Sequence, residues 1–266
     1  MSLDWTHTHA APDIRLEDIQ VGYGDLTVLQ DVTAVLPGGK ISVILGGSGG
    51  GKSTLLKTIL GLLQPTAGHV WLEDSDLYGL SEPEMREIRK RMGVLFQDGA
   101  LLGSLPLAEN IALPIREHTS LDEETIETMV GIKLSLVGLG DFADFFPSQL
   151  SGGMRKRAGL ARALALDPRI LLCDEPTSGL DPITAADLDQ MILDLKDAFG
   201  MTIVVVSHDL QSVFTIADHV VVLNKGIPVF QGVPDALRNN EDPFLRQFLD
   251  RRPTRGNGQG GGERST

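Results

Sequence analysis

A glycine-rich octapeptide carries the clearest chemistry in this sequence. It reads Gly46-Gly47-Ser48-Gly49-Gly50-Gly51-Lys52-Ser53, and a predicted helix begins at Thr54. Glycines let successive backbone N–H groups turn toward phosphate oxygens, and a helix N-terminus adds partial positive charge. The Lys52 ammonium suits the β- and γ-phosphates, and the Ser53 hydroxyl suits Mg²⁺. The pattern therefore predicts a site for a nucleoside triphosphate.

Two carboxylates that follow a short apolar run complement this loop. The run Ile170–Cys173 is predicted to be a buried strand, and Asp174 and Glu175 come directly after it. Because parallel strands present their last side chains at one edge of a sheet, we expect both carboxylates beside the phosphate loop. Asp174 is expected to bind Mg²⁺, directly or through water, and Glu175 to orient the attacking water or accept its proton. Cys173 is interpreted as a small buried residue, since no neighbouring cation in the sequence lowers its pKa.

Alternating strands and helices are predicted to position these groups. The predicted strands are Ile14–Val21, Ile41–Leu45, Val70–Leu72, Val94–Phe96, Ile170–Cys173, Ile203–Val206 and Val220–Leu223. The predicted helices are Thr54–Leu63, Ser81–Met92, Leu121–Val137, Gly152–Leu166 and Thr184–Phe199. This alternation predicts an α/β fold with a mainly parallel sheet covered by helices on both faces. Residues from about 98 to 165 show helical patterns without a core strand and are interpreted as an inserted helical subdomain.

Composition narrows the class of protein. The chain has 266 residues, 42% of them hydrophobic, and a formal net charge of −13. We expect one domain over residues 1–250 and a flexible, basic, Gly-rich tail over residues 251–266. The acidic balance argues against nucleic acid as a partner, and the single cysteine excludes a disulfide framework. Because no signal peptide or membrane span is recognisable, a soluble intracellular protein is expected.

Further motifs resemble those of ATP-binding-cassette (ABC) ATPases. Leu150-Ser151-Gly152-Gly153-Met154 is similar to the signature motif of that family, with Met154 where many members have glutamine. The other matching positions are Gln97 (glutamine loop), Ser178-Gly179-Leu180-Asp181 (D-loop), His208 (switch histidine) and Tyr23 (the aromatic that stacks on adenine). The resemblance covers residues 14–250 and implies a P-loop NTPase core with an N-terminal antiparallel β region.

This resemblance also implies roles for individual residues. Glu175, His208 and Gln97 would be catalytic, and Ser53, Gln97 and Asp174 would lie at Mg²⁺. The implied ATP-binding residues are Tyr23, Gly46, Gly47, Ser48, Gly49, Gly50, Gly51, Lys52, Ser53, Thr54, Ser151, Gly152, Gly153 and Asp181. In the family, the signature motif closes over the ATP of a second copy in a head-to-tail dimer. The neighbouring basic run Arg155-Lys156-Arg157 is interpreted as a solvated helix face.

Several local strings are similar to the ATPase subunits of Mla/Mce-type phospholipid transporters of Gram-negative bacteria. These strings occupy residues 93–101, 114–119, 150–157, 181–184 and 207–209. The resemblance implies an integral-membrane permease docked near Gln97–Leu101, a STAS-domain partner and a periplasmic lipid-binding subunit reached through the permease. Phospholipid would be cargo that the chain does not bind directly, and the chain would lie peripherally at the cytoplasmic face of the inner membrane. The stretch Pro243–Arg252 would contact the STAS partner of the neighbouring protomer.

Two alternatives remain open at this point. The first is an ABC ATPase subunit for another cargo, such as amino acids or lipoproteins. The second is a soluble ABC ATPase of DNA repair or translation. The single phosphate loop and the lack of sustained heptads disfavour the second alternative.

Overall fold

Ten strands and nine α-helices make up the part of the chain that the computed structural model describes, residues 11–24 and 26–250. The strands are β1 (Ile14–Tyr23), β2 (Leu26–Leu36), β3 (Ile41–Gly46), β4 (Ala67–Leu72), β5 (Ser75–Asp76), β6 (Met92–Leu95), β7 (Ile170–Asp174), β8 (Thr202–Ser207), β9 (His219–Asn224) and β10 (Ile227–Gly232). The helices are α1 (Lys52–Ile59), α2 (Glu82–Arg89), α3 (Leu107–His118), α4 (Glu123–Leu136), α5 (Gly152–Ala163), α6 (Pro182–Phe199), α7 (Leu210–Ile216), α8 (Pro234–Arg238) and α9 (Pro243–Leu249). The predicted tail, residues 251–266, lies outside the described residues.

A six-stranded sheet carries the phosphate loop. Its strand order is β10-β9-β3-β8-β7-β6, and every pair is parallel except β10 with β9. Strands β3 and β8 are buried at every position, which agrees with their continuous apolar runs. The predicted mainly parallel sheet is confirmed. The carboxyl ends of β3, β6, β7 and β8 share one edge, where the candidate chemical groups follow.

A second, antiparallel sheet forms the N-terminal region, with the order β2-β1-β4-β5. Strand β1 pairs with both β2 and β4, so that Ile14 faces Leu36 on one side and Leu72 on the other. The antiparallel region is confirmed, but β2 was not predicted. Its alternation is broken by register shifts and by Asp31, which has a φ of 48°.

Apolar side chains cover both faces of the six-stranded sheet. Ile41, Val43 and Leu45 of β3 pack into one cluster with residues of α3 to α6, whereas Ile44 packs into another with β1, β2 and α1. Successive strand residues point to opposite faces, so one apolar strand supplies both clusters. The predicted arrangement of helices on both faces is therefore confirmed.

Between β6 and β7 the structure contains α3, α4 and α5 and no strand, as the sequence predicts. Helix α3 was not predicted individually, and it contains Pro114. Its buried Asn110 holds the preceding loop: Oδ1 accepts from the Leu102 N–H at 2.7 Å, and Nδ2 donates to the Leu102 and Leu105 carbonyls at 3.1 and 3.0 Å. This loop connects the end of β6 to α3.

Several predicted boundaries differ from the observed ones because turns intervene. Helix α1 ends at Ile59 rather than Leu63, since Gly61 adopts a φ of 68°. Strand β6 ends at Leu95. Phe96 begins a turn in which its carbonyl oxygen accepts a hydrogen bond from the Gly99 N–H at 2.8 Å.

In the part of the chain described here, no helix is both long enough and apolar enough to cross a membrane.

Candidate active site

The phosphate loop runs from the end of β3 to the first turn of α1. Gly49 and Gly51 have φ values of 72° and 93°, which favour glycine. A Cβ on Gly46 would lie 2.5 Å from the Leu223 carbonyl oxygen, and one on Gly51 would lie 2.5 Å from Leu29 Cδ2. The glycines thus allow both the turn and its close approach to β2 and β9. Gly47, Ser48 and Gly49 are exposed, so this part of the loop is accessible to a ligand.

Lys52 is the first residue of α1 and is 8% exposed. Its ammonium donates to the Gly46 and Gly47 carbonyl oxygens at 3.0 and 3.1 Å, and it lies 3.9 Å from Glu175 Oε1. The cation is therefore held between the loop and the end of β7. Lys52 thus connects the phosphate loop to Glu175, the carboxylate expected to orient the attacking water.

Ser53 and Asp174 lie together as predicted, with the Ser53 hydroxyl donating to Asp174 Oδ1 at 3.3 Å. Burial raises the pKa of the Asp174 carboxyl, and the Glu175 charge raises it further, while the Ser53 hydrogen bond lowers it. A divalent cation would relieve this cost to the charged carboxylate. The described residues contain no group of three His, Cys, Asp or Glu side chains that could hold a metal. Mg²⁺ commonly takes one or two carboxylates plus phosphates, so this pair fits Mg²⁺ brought with a nucleotide.

Glu175 and His208 are also brought together. His208 follows β8, and its Nδ1 contacts Glu175 Oε2; its side chain is 60% exposed, whereas that of Glu175 is 16% exposed. Both residues line a pocket of about 500 Å³ with Thr177, Ser178, Gly179, Ser207, Asp209 and Gln211. The sequence did not single out Thr177 or Gln211, because short polar residues after a strand have no distinctive pattern.

Gln97 lies at the same edge of the sheet. Strands β6 and β7 are parallel, with Leu95 opposite Cys173, and Gln97 and Glu175 each come two residues after this pair in the sequence. Gln97 is exposed. Gln97 thus lies in the turn after β6, at the sheet edge where β7 ends in Asp174.

The signature motif is positioned by α5. Ser151 is the N-cap of this helix, and its Oγ accepts from the Met154 N–H at 3.2 Å. Ser151 and Gly152 are exposed, whereas Gly153 is buried and packs near Thr184. Among the described residues, no hydrogen bond joins this motif to the phosphate loop of the same chain. Ser151 and Gly152 thus leave the N-terminus of α5 open to solvent.

Asp181 and Tyr23 are the remaining residues that the resemblance assigns to ATP binding. The Asp181 carboxylate caps α6, accepting from the Ile183 and Thr184 N–H groups at 3.1 Å and from the Thr184 hydroxyl at 2.6 Å. Tyr23 ends β1 opposite Leu26, and its ring is half exposed. An exposed ring of this kind is suited to stacking on a base.

The basic run after the signature motif is not a uniformly solvated face, which corrects the prediction for Lys156. Its side chain is 6% exposed, and Nζ donates to the Glu175 carbonyl oxygen at 3.0 Å. Arg155 is exposed, as predicted. Lys156 lies on the buried side of α5 because the helix rotates by about 100° per residue.

Cys173 is fully buried within β7, and burial raises the pKa of its thiol to about 12. The prediction that it is a packed, unreactive residue is confirmed.

Near the C-terminal end of the described residues, α9 packs on this chain's own core, with Leu245 buried. Residues 251 and 252 of the stretch expected to contact a neighbouring STAS partner lie outside the described residues.

Comparison with known proteins places these features in a family. Residues 29–178 match the ABC transporter family. The chain is 46% identical over 239 residues to the "Probable ribonucleotide transport ATP-binding protein mkl" of Mycobacterium tuberculosis, covering 90% of this chain and 67% of that protein. It is 42% identical over 237 residues to the "Intermembrane phospholipid transport system ATP-binding protein MlaF" of Escherichia coli, covering 89% and 88%.

Solved structures of related proteins have the same fold. The ATP-binding cassette MJ0796, in a dimeric post-hydrolysis state with ADP and Pi, superposes with a TM-score of 0.76 at 30% identity, covering 83% of this chain and 98% of that one. The cbiO1 protein of Clostridium perfringens superposes with a TM-score of 0.79 at 27% identity, covering 89% and 94%. With its phosphate loop, paired carboxylates and signature helix in these positions, the chain belongs to the ABC transporter family and is an ATP-hydrolysing enzyme.

Proposed function

We propose that this chain is the ATPase subunit of a transporter that moves phospholipids between the inner and outer bacterial membranes and so maintains outer-membrane lipid asymmetry. The observation that supports phospholipid as the cargo is the 42% identity to MlaF, which extends over 88% of that protein. We further propose that residues 1–250 act as one ATPase domain, with the helical segment of residues 98–165 inserted into its core.

The proposed chemistry follows from the contacts at the sheet edge. The phosphate loop and Lys52 bind the β- and γ-phosphates, while Ser53, Asp174 and Gln97 hold Mg²⁺, which supplies charge neutralisation on the phosphates. Glu175 orients a water molecule and accepts its proton as the water oxygen bonds to the γ-phosphorus. The bond from that phosphorus to the bridging oxygen breaks, and ADP leaves with that oxygen. His208 holds Glu175 in place and contacts the γ-phosphate.

A second copy of the chain completes this site. Ser151, Gly152 and Gly153 are proposed to bind the γ-phosphate of ATP held by the partner in a head-to-tail dimer. The exposure of Ser151 and Gly152 at a 12-residue helix supports this role. Asp181 caps the helix next to the dimer contact. Two related cassette structures are described as dimeric.

The permease is proposed to dock in a groove between α2, α3 and α5. The groove holds about 530 Å³ and is lined by residues that include Arg86, Arg89, Lys90, Phe96, Leu113 and Arg162. Phe96 precedes Gln97, so a membrane subunit seated here lies one residue from a proposed Mg²⁺ ligand. A permease would hold the chain at the cytoplasmic face of the inner membrane, since a net charge of −13 provides little attraction to anionic lipid. STAS-domain and periplasmic subunits complete the proposed assembly.

The mycobacterial relatives favour a second candidate cargo. They are named as probable ribonucleotide transport proteins, and they are 46% identical to this chain. The groove and the ATP site are compatible with either cargo, because an ABC ATPase does not itself form the transport pathway. The cargo must therefore be determined on the assembled transporter.

Two measurements test the proposal. The tagged chain, purified in mild detergent, should retain an integral-membrane subunit and phospholipid, both identified by mass spectrometry. Recovery of ribonucleotide or another cargo instead would overturn the phospholipid assignment.

In the ATPase assay, Glu175→Gln should bind ATP but lose most turnover, roughly 100-fold or more. The matched control Glu127→Gln, at an exposed position of α4, should hydrolyse ATP normally. Wild-type turnover in Glu175→Gln would contradict the proposed catalytic site.

A further inference from the structure

The ammonium of Lys156 lies against the backbone of the proposed catalytic carboxylate. Lys156 is 6% exposed on α5, and its Nζ donates to the Glu175 carbonyl oxygen at 3.0 Å. Burial lowers the pKa of this lysine, and the charges of Asp98 and Glu175 act in the opposite direction. A hydrogen bond from a charged donor in a buried setting is among the stronger ones available to a backbone carbonyl. The contact therefore restrains Glu175 through its main chain.

The Glu175 backbone adopts a conformation that needs such restraint. Its φ is 50°, a left-handed value that is unfavourable for a residue with a Cβ. Its N–H donates to the Val206 carbonyl at 2.9 Å, and its carbonyl accepts from Ser178 N–H at 3.2 Å as well as from Lys156. The direction of the Glu175 side chain follows from this peptide orientation. Losing one of the two donors at the carbonyl would let the peptide rotate.

Helix α5 is in turn fixed to the loop that follows Gln97. A Cβ on Gly159 would lie 2.8 Å from Gly99 Cα, so helix and loop are in direct backbone contact. Arg162 strengthens this contact, because its Nη1 donates to the Ala100 carbonyl at 2.7 Å and its Nη2 to the Gly99 carbonyl at 3.1 Å. A displacement of the loop must therefore displace α5 and the Lys156 side chain with it.

We propose that Lys156 is a positioning residue that transmits the position of α5, and of the loop after Gln97, to the backbone of Glu175. The inference rests on the proposed catalytic role of Glu175. With α5 seated, the contact aligns the Glu175 carboxylate for the attacking water. With α5 displaced, the contact opens and the carboxylate turns away while the phosphate loop keeps its geometry. Lys156 therefore sets the turnover rate and leaves the affinity for ATP unchanged.

The test measures ATPase kinetics of the full-length chain with Mg·ATP. Lys156→Met removes the donor but keeps most of the unbranched side chain, and kcat should fall about 10- to 100-fold, as expected for a misplaced catalytic group. The KM for ATP should stay within about twofold, which indicates a loss confined to the transition state. Lys156→Arg keeps the charge and reach and should restore most of the rate. If Lys156→Met does not fold, Lys156→Leu provides the same test, because it also lacks a donor.

The matched control is Lys133→Met. Lys133 is another buried lysine, 7% exposed on α4, and its Nζ contacts Asp167 rather than the active site. Its loss should lower thermal stability and leave kcat unchanged. A fall in kcat of equal size in Lys133→Met would show that any buried lysine has this effect and would overturn the inference.

A double-mutant comparison separates this inference from the proposed function. Because Lys156 acts through Glu175, adding Lys156→Met to Glu175→Gln should not lower the residual turnover further. A further fall of the same size as in the wild-type background, or a wild-type kcat in Lys156→Met alone, would refute the positioning role. Full turnover in Glu175→Gln would instead refute the catalytic role on which the inference rests.

Discussion

A buried carboxylate joins the two helices that begin beside the proposed active site. Asp189 on α6 is 5% exposed, and its Oδ1 accepts a hydrogen bond from Ser212 Oγ on α7 at 2.5 Å. Helix α6 follows Asp181, and α7 follows His208. Burial raises the pKa of Asp189, the charge of Asp209 raises it further, and the Ser212 hydrogen bond lowers it. The pair thus depends on one hydroxyl to support a carboxylate removed from water.

We expect Ser212→Ala to destabilise the fold. Removing a donor from a buried acceptor costs about 1–3 kcal/mol. At an unfolding entropy of about 2.1 cal/mol/K per residue, a chain of this length should lose roughly 2–5 °C in Tm. Differential scanning calorimetry measures the shift. Ser135→Ala, at an exposed position of α4, is the matched control and should leave Tm unchanged.

The raised pKa of Asp189 determines how the stability of the fold changes with pH. Because the folded-state pKa of Asp189 is raised, the folded state holds this proton more tightly than the unfolded state does. The group therefore lowers stability as pH rises above its unfolded value, until pH passes its folded-state pKa. Ser212→Ala raises that pKa further, so its Tm deficit should grow as pH rises above the ordinary range of an aspartate pKa. Asp189→Asn keeps an acceptor without the charge and should be at least as stable as wild type at pH 8. An unchanged Tm in Ser212→Ala, or a deficit that grows toward low pH, would refute this reasoning.

Three further predictions concern the nucleotide site. Lys52→Ala should weaken ATP binding and abolish turnover, and unchanged affinity in a fluorescent-nucleotide titration would show that the lysine does not contact phosphate. Ser151→Arg should retain ATP binding by the single chain but block hydrolysis, and full activity in a coupled phosphate assay would contradict a site shared between two copies. Asp174→Asn should raise the Tm of the nucleotide-free chain, because it removes a carboxylate whose pKa is raised by burial, while lowering Mg·ATP hydrolysis. A lower Tm by scanning fluorimetry would contradict the charge argument.

The sequence was sufficient where function depends on residue type and local spacing. The octapeptide from Gly46 to Ser53 specifies a phosphate loop because glycine, lysine and serine each have a separate task there. The pair Asp174 and Glu175 was placed correctly because a buried apolar strand must end at the edge of the sheet. The order of the remaining motifs then identified the family.

The sequence was insufficient where structure depends on pairing or on backbone partners. Strand β2 was missed because it pairs through register shifts that break the alternation of apolar residues. The role of Lys156 was missed because its partner is a carbonyl oxygen, which every residue has and no sequence pattern marks. Burial alone distinguishes Lys156 from its exposed neighbour Arg155.

The inert thiol of Cys173 has a practical consequence for measuring motion. It is the only cysteine in the sequence, it is fully buried, and its pKa of about 12 keeps it protonated at neutral pH. Maleimide labels react with thiolates at accessible positions, so a cysteine introduced on the outer face of α4 should be labelled selectively in the otherwise native chain. Spin or fluorescent probes attached there can report how α3 to α5 move relative to the six-stranded sheet during turnover, without first replacing a residue beside Asp174.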